Sequence, residues 1–315
     1  MSRILITDRT DPVLQETLEA AGHHVVVDTN LGYDSLLHII GQYDALVVRS
    51  KITIDKYFLD HARHLQCIGR VGAGMETIDV DYAESLGIRC LNSPEGNRDA
   101  VGEHALGLLL ALLDNISRAD AEVRQGLWRR EANRGLEIKG RTIGIIGFGN
   151  MGGAFAQRLQ GFECDIIAYD KYKPVGYAPA YVQEVSLAEL QERAEVLSLH
   201  VPLTPETNHM VDLQFINRFR HPFFLINTSR GAVVNTPDLV EAIRNEHIIG
   251  AALDVIEYED MSRDGLDLEH LPPAFQFLIE SPRTVLTPHV AGWTVESRYK
   301  LAKVLADKMI HTLTH

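Results

Sequence analysis

Four short segments of this 315-residue chain carry side chains whose types and spacing suit one chemistry. The first is Gly147-Phe148-Gly149-Asn150-Met151-Gly152, which follows the apolar run 143–146 and precedes a helix-forming stretch, 154–160. Strand, glycine turn and helix in that order make a dinucleotide-binding turn. Gly147 permits the tight turn, Gly149 lets the backbone approach a pyrophosphate, and Gly152 lets the helix pack on the strand. The phosphates then rest on a helix N-terminus, where free N–H groups and the positive dipole end favour negative charge. A second β-type run, 164–169, ends at Asp170, 18 residues past Gly152. An acid there bonds the ribose hydroxyls of NAD and repels the extra phosphate of NADP, a bias that Lys171 and Lys173 soften. Glycine spacing alone is weak in a chain with 24 glycines. Gly72-Ala73-Gly74 also follows an apolar run, but Thr77 stands where the third glycine belongs and no strand-end acid follows.

The other three segments each end an apolar run with a reactive side chain. Asn227-Thr228-Ser229-Arg230-Gly231 supplies a guanidinium, Asp254 to Glu259 supplies the acids Glu257 and Glu259, and Thr287-Pro288-His289 holds an imidazole on a rigid turn. Strand ends of an open α/β sheet share one rim, so a cation, a carboxylate and a histidine converge there beside a bound nicotinamide. The set suits reduction of a 2-keto acid. Arginine grips an α-carboxylate through two parallel hydrogen bonds and polarises the neighbouring carbonyl. An imidazolium gives the carbonyl oxygen its proton, and a carboxylate behind the ring fixes its tautomer and favours its charged form. Singly, each residue has a plain alternative: a cap, a solvated acid, or one of 14 histidines. Nearer the N-terminus, Arg49-Ser50-Lys51 follows a strand end and Arg70 precedes the Gly72 loop. Cations there, across the expected cleft, suit a phosphate at the far end of a three-carbon acid.

The elements that must position these residues are legible in the pattern. The first 95 residues alternate strand and helix, as an open parallel sheet covered on both faces requires. A loop at 92–97 leads into a helix at 100–118, so apolar from Leu106 to Leu113 that it must be buried in a core, between domains or between subunits. An exposed patch of that kind predicts a homodimer through the 100–118 region. A second βα series, 141–287, has six strands and suits a doubly wound nucleotide fold. Residues 257–282 are acidic and irregular, with Asp260, Asp264, Asp267, Glu269 and Pro272-Pro273, and read as a surface excursion; a closing helix covers 294–312. The chain is 45% hydrophobic and 23% charged, ordinary for a globular protein with a sizeable core. A net charge of −13 argues against nucleic-acid and membrane-surface partners and leaves a small molecule as substrate. Three isolated cysteines without a CxxC pair predict neither disulfide nor metal, and the N-terminus reads as a strand, not a signal, so a reducing cytoplasm is expected.

Several of these motifs together resemble the D-isomer-specific 2-hydroxyacid dehydrogenases, in particular their phosphoglycerate dehydrogenase branch. They are Val48-Arg49-Ser50, Gly69 to Gly74, Asn92 to Asn97, the glycine loop, Leu199-His200-Val201-Pro202-Leu203-Thr204, Ile226 to Gly231, Ala252-Leu253-Asp254-Val255 and Thr287-Pro288-His289, and they cover nearly the whole chain. The resemblance implies an α/β protein of two doubly wound parallel-sheet domains. One is a flavodoxin-like substrate domain, 1–97 and 288–315; the other is a Rossmann NAD-binding domain, 98–287. It implies that Arg230 binds substrate, that His289 is the acid–base, and that Glu259, five residues past Asp254, is the carboxylate behind it. It sets Asn150 and Met151 along the pyrophosphate, Asp254 against the nicotinamide carboxamide, and Thr228, Ser229 and Gly292 near the nicotinamide. Ala73 and Gly74 become a substrate loop, with Asn97 nearby, and the last helix returns to the N-terminal domain. The chain departs from the family at Asp260, at the long stretch from Glu259 to His289, at Trp293, and in lacking a regulatory domain after His315. The expected activity is NAD-dependent oxidation of 3-phosphoglycerate. The rivals are a glyoxylate/hydroxypyruvate reductase, a broad D-2-hydroxyacid dehydrogenase, and a non-catalytic NAD-sensing co-repressor.

Overall fold

Strand residues alternate between two faces, and in the N-terminal part of the chain both faces are apolar. A computed structural model describes residues 1–259 and 270–314 and divides into two compact units, Met1–Arg98 with Trp293–His315, and Asp99–Gly292. The acids at 260–269 lie outside the described residues. In the first unit β1 (Arg3–Ile6), β2 (His24–Val27), β3 (Ala45–Val48), β4 (Cys67–Arg70) and β5 (Arg89–Asn92) form a parallel sheet of order β2-β1-β3-β4-β5. Leu5, Leu46, Val48 and Ile68 face one cluster with Leu36 and Phe58. Ile4, Ile6, Ala45, Val47 and Cys67 face the other, where the C-terminal helix Val295–Thr314 lays Leu301, Ala302, Leu305, Ala306 and Met309. Each fully buried leucine is worth about 1.5–3 kcal/mol, so the last helix is a structural wall of this unit. It packs so close that a Cβ on Gly69 would lie 2.8 Å from the Met309 sulfur. Asp11, Asp55 and Asp79 cap the helices that follow them, each accepting a backbone N–H of the first turn.

The second unit is built around β6 (Thr142–Ile146), β7 (Asp165–Tyr169), β8 (Gln183–Glu184), β9 (Val196–Leu199), β10 (Phe223–Asn227), β11 (Ile248–Leu253) and β12 (Thr284–Leu286). The sheet is parallel, with order β12-β11-β10-β9-β6-β7-β8. The chain runs outward from β6 through β7 and β8, then crosses back to β9, so the order reverses between β6 and β9. Such a switch point opens a crevice at the carboxyl ends of the strands. Register aligns those ends: Ile146 pairs with Leu199, Leu199 with Asn227, Asn227 with Leu253, and Leu253 with Leu286. The segments beginning at Gly147, Thr228, Asp254 and Thr287 therefore leave one rim.

Four expectations need correction. The sheet has seven strands, not six, because β8 is a two-residue edge. The helix expected at 100–118 is two helices, Arg98–Leu113 and Ile116–Arg124, broken at Asn115, whose φ of 53° is left-handed. The excursion at 257–282 contains the helix Pro273–Glu280, whose Phe275 and Leu278 are buried. The chain returns to the first unit after Gly292 and not after Thr287, since the turn around His289 is tied to the second unit. Among the described residues no helix is long and apolar enough to cross a membrane. Cys67, Cys90 and Cys164 are free, and burial pushes the Cys67 thiol up to about 12.

Candidate active site

The glycine loop shows why each glycine is there. Gly147 has a φ of 87°, and a Cβ on it would sit 2.4 Å from the His200 carbonyl oxygen. One on Gly152 would sit 2.1 Å from the Gly147 carbonyl oxygen. Gly149 has nothing within 4 Å of its would-be Cβ, so an open cradle remains for a bound group. The helix Asn150–Leu159 starts there with no side-chain cap, leaving its N–H groups to a ligand. Asn150 and Met151 form its first turn. Asp170 accepts from the Phe148 N–H at 2.9 Å and the Tyr172 N–H at 3.0 Å, which ties the end of β7 to the loop. Lys171, read above as a counterweight to Asp170, is instead paired with Glu206. These features fit a dinucleotide: backbone donors, an open glycine, a strand-end acid, and a buried Thr228 hydroxyl with no partner.

On the same rim, His289 and Glu259 meet. The His289 Nδ1 lies 2.7 Å from a Glu259 carboxylate oxygen, and the other oxygen accepts the Ile256 N–H at 3.1 Å. That bond raises the His289 pKa above its ordinary value; burial opposes it, the charges of Glu259 and Asp254 add to it, and the charge of Arg230 lowers it. Spacing left Glu257 and Glu259 as alternatives, and the geometry separates them. Glu257 is held by His209 at 2.5 Å and by the Thr236 N–H at 2.6 Å. Arg230 is aimed by Asn227, whose side-chain oxygen accepts the Ser229 N–H at 3.0 Å and whose amide donates to the Arg230 carbonyl at 3.0 Å. Gly231 is required beside it, because a Cβ would overlap the Ile256 backbone at 2.1 Å.

The side chains of Asp254 and Ser229 are both engaged by the protein. The Ser229 hydroxyl turns inward and donates to Asn227 at 2.7 Å. Asp254 is 2% exposed, and its carboxylate faces the protein. It accepts from the Thr287 hydroxyl at 2.6 Å and from the Val290 and Ala291 N–H groups at 2.9 and 2.8 Å. Its carbonyl accepts the His289 N–H at 2.8 Å. Burial raises its pKa, but hydrogen bonds from His104, Thr287, Ala291 and Val290 outweigh that and hold it below the usual range. His289 has a left-handed φ of 53°, a conformation that costs a non-glycine residue about 1–2 kcal/mol. The carboxylate bonds clamp the turn that carries it, so Asp254 positions the histidine. His104, 3.0 Å from the Thr287 hydroxyl, completes the clamp. Sequence marked Thr287 only as part of the rigid turn and His104 not at all, since His104 lies on a helix 183 residues away.

The remaining predicted residues, Gly292 apart, belong to the first unit. Asn97 has a buried side-chain oxygen without a partner, and the Ala73 carbonyl accepts from Asn92 at 2.7 Å. Gly74 is half-buried and Ser50 exposed. Lys51 leaves the expected phosphate trio, because its ammonium donates to the Thr29 and Leu31 carbonyls at 2.9 and 2.7 Å. Arg70 donates to the Arg49 carbonyl at 3.3 Å and lies across Gly72. The Arg49 backbone N–H is held by Asp8 at 2.9 Å, while its guanidinium lies over the Trp293 ring, 4.2 Å from the centroid. Gly292 directly precedes that tryptophan.

Comparison with known proteins shows the family. Residues 106–291 match the family described as D-isomer specific 2-hydroxyacid dehydrogenase, NAD binding domain. A hydroxypyruvate reductase of Thermotoga maritima is 33% identical over 314 residues, 99% of this chain and 98% of that protein. A D-3-phosphoglycerate dehydrogenase of Mycobacterium tuberculosis is 34% identical over 97% of this chain, which spans only 56% of that longer protein. The crystal structure of the TT0316 protein from Thermus thermophilus superposes with a TM-score of 0.81 at 31% identity, covering 99% of this chain and 97% of that one. The chain belongs to the D-isomer-specific 2-hydroxyacid dehydrogenases, as an NAD-dependent oxidoreductase whose second unit holds the cofactor.

Proposed function

We propose that the protein interconverts 3-phosphoglycerate and 3-phosphohydroxypyruvate, the oxidation that opens serine synthesis, and that it works in the cytoplasm as a homodimer. NADH, when bound at the glycine loop, supplies the hydride for reduction. Arg230 grips the α-carboxylate and aligns the carbonyl. His289, protonated and oriented by Glu259, gives its Nε2 proton to the carbonyl oxygen as the carbon is reduced; in oxidation it takes the hydroxyl proton back. Thr228, Asn150, Met151, Asp170 and Gly292 serve the cofactor, and Ala73, Gly74, Asn97 and Ser50 the substrate. The observation that carries the choice of substrate is the half-buried Arg49 guanidinium, which makes no hydrogen bond among the described residues. A donor set of that kind suits a phosphate.

A second reading, a hydroxypyruvate or glyoxylate reductase, is favoured by the end-to-end match to the Thermotoga maritima protein and by the loss of Lys51 from the basic cluster. Initial rates with NADH separate the two. On the first reading 3-phosphohydroxypyruvate is reduced at least ~10-fold more efficiently than hydroxypyruvate or glyoxylate, about 1.4 kcal/mol of discrimination in the transition state. Equal efficiency on all three moves the assignment to the reductase.

A further inference from the structure

Trp293 presents an indole where nothing structural requires one. It is 66% exposed, so it contributes little to the core of the first unit. The Arg49 guanidinium lies over its ring face at 4.2 Å, close enough for the ring quadrupole to attract the cation. A guanidinium attracted to a ring still carries several N–H donors in a fixed fork. Its backbone is fixed by the Asp8 carboxylate at 2.9 Å and by Arg70, which donates to its carbonyl at 3.3 Å. Arg298, on the same unit, donates to the Thr10 carbonyl at 3.3 Å and lies 3.9 Å from Asp11. Burial lowers the pKa of Arg49, Asp8 opposes that, and the charge of Arg298 adds to it. The acid that serves Arg49 thus hydrogen-bonds its backbone, and among the described residues no acceptor takes a hydrogen bond from the guanidinium.

We propose that Trp293 is a specificity-determining positioning residue: its ring holds Arg49 in the pose that receives a phosphate ester at the distal end of the substrate. This rests on the phosphoglycerate reading and adds to it a residue that touches Arg49 and not the reacting carbon. Without the ring a long arginine side chain samples many rotamers, and ordering it on binding weakens the contact.

The experiment uses the 315-residue chain with NAD present and Trp128→Phe as background, which leaves Trp293 as the sole indole of the two in the chain. The emission of Trp293 is expected to change with 3-phosphoglycerate at concentrations at least ~10-fold below those needed with D-glycerate, and Arg49→Ala to remove that advantage. By calorimetry, Trp293→Ala is expected to weaken 3-phosphoglycerate about 5-fold, and Trp293→Phe, which keeps a ring, to restore it. In turnover the alanine variant is expected to raise KM more than it lowers kcat. Two results overturn the proposal in different ways. If 3-phosphoglycerate keeps its advantage and Trp293→Ala binds it within about 2-fold of the parent, the platform is wrong and the substrate reading stands. If both acids bind equally well to the parent, the substrate reading fails and the platform with it.

Discussion

His289 gives one ring nitrogen to Glu259 and, in the proposed reaction, the other to the substrate, and that division makes its chemistry testable. Removing the imidazole as His289→Gln is expected to lower turnover roughly 10²–10⁴-fold, the usual worth of a general acid. NADH affinity, spread over the glycine loop and Asp170, should stay within a few-fold by fluorescence titration. The hydrogen bond that His289 donates to Glu259 is the largest influence raising its pKa above the ordinary value, so the proton-donating form persists to higher pH. Reduction therefore falls as pH rises through that raised pKa, whereas oxidation, which needs the neutral ring, rises. In Glu259→Gln both limbs are expected to move to lower pH in initial-rate profiles; an unmoved limb would detach Glu259 from the histidine. The residue types of this site were legible because cation, acid and imidazole each follow an apolar run. Residue type and position alone did not choose between Glu257 and Glu259; only the family resemblance named Glu259. The two stand two residues apart on one loop, and only the folded chain shows that His209 and the Thr236 N–H take the first. The inward turn of Asp254 was equally hidden, since a strand-end acid reads the same whether it faces a ligand or the next loop.

At the scale of the element, the glycine loop separates two kinds of glycine that sequence treats alike. Gly152 packs against the Gly147 carbonyl oxygen at a distance that no real Cβ tolerates, and Gly149 faces open space with an ordinary φ of −87°. Gly152→Ala should therefore destabilise the unit itself, by about 1–3 kcal/mol as overpacking does. Gly149→Ala should leave the melting temperature of the apoprotein unchanged and weaken NADH binding, because its methyl group fills the cradle and not the core. Calorimetric melting with and without NADH distinguishes them, and equal losses of apoprotein stability would reject the assignment of Gly149 to the cofactor. The period of the strands and the strand–glycine–helix order made both sheets readable beforehand. What failed were boundaries set by single backbone choices. The helix expected at 100–118 stops at Asn115 because one residue turns left-handed, which no apolar periodicity records. The helix Pro273–Glu280 was masked by acidic and proline-rich flanks, although Pro273 suits a first helical position and Phe275 and Leu278 repeat at helical spacing.

For the whole molecule, the fold moves the apolar surface available to a dimer beyond the run at 106–113. The apolar run Leu106 to Leu113 is mostly covered by its own unit, since Leu108, Leu109, Leu112 and Leu113 are buried in the cluster beneath β6 and β10. Its Leu106 and Leu110 are only partly covered. The stronger signal lies just beyond, where Ile116, Val123 and Trp128 are 52%, 51% and 79% exposed and Leu136 is 41% exposed. Four large exposed apolar side chains in so short a stretch are more than a solvated surface needs, and exposed apolar surface is the usual basis of a two-fold dimer. Arg118 and Arg134 donate into this segment's own backbone and acids, which stiffens it without covering its apolar side chains. Sedimentation at micromolar protein is expected to give twice the 35.2 kDa of one chain. Val123→Asp with Trp128→Asp should shift it to the monomer, because both side chains are exposed within one chain and their replacement leaves its core intact. A wild-type particle of 35.2 kDa would assign the exposed apolar stretch to some other contact. A double variant that stays dimeric would move the interface to another face of the molecule.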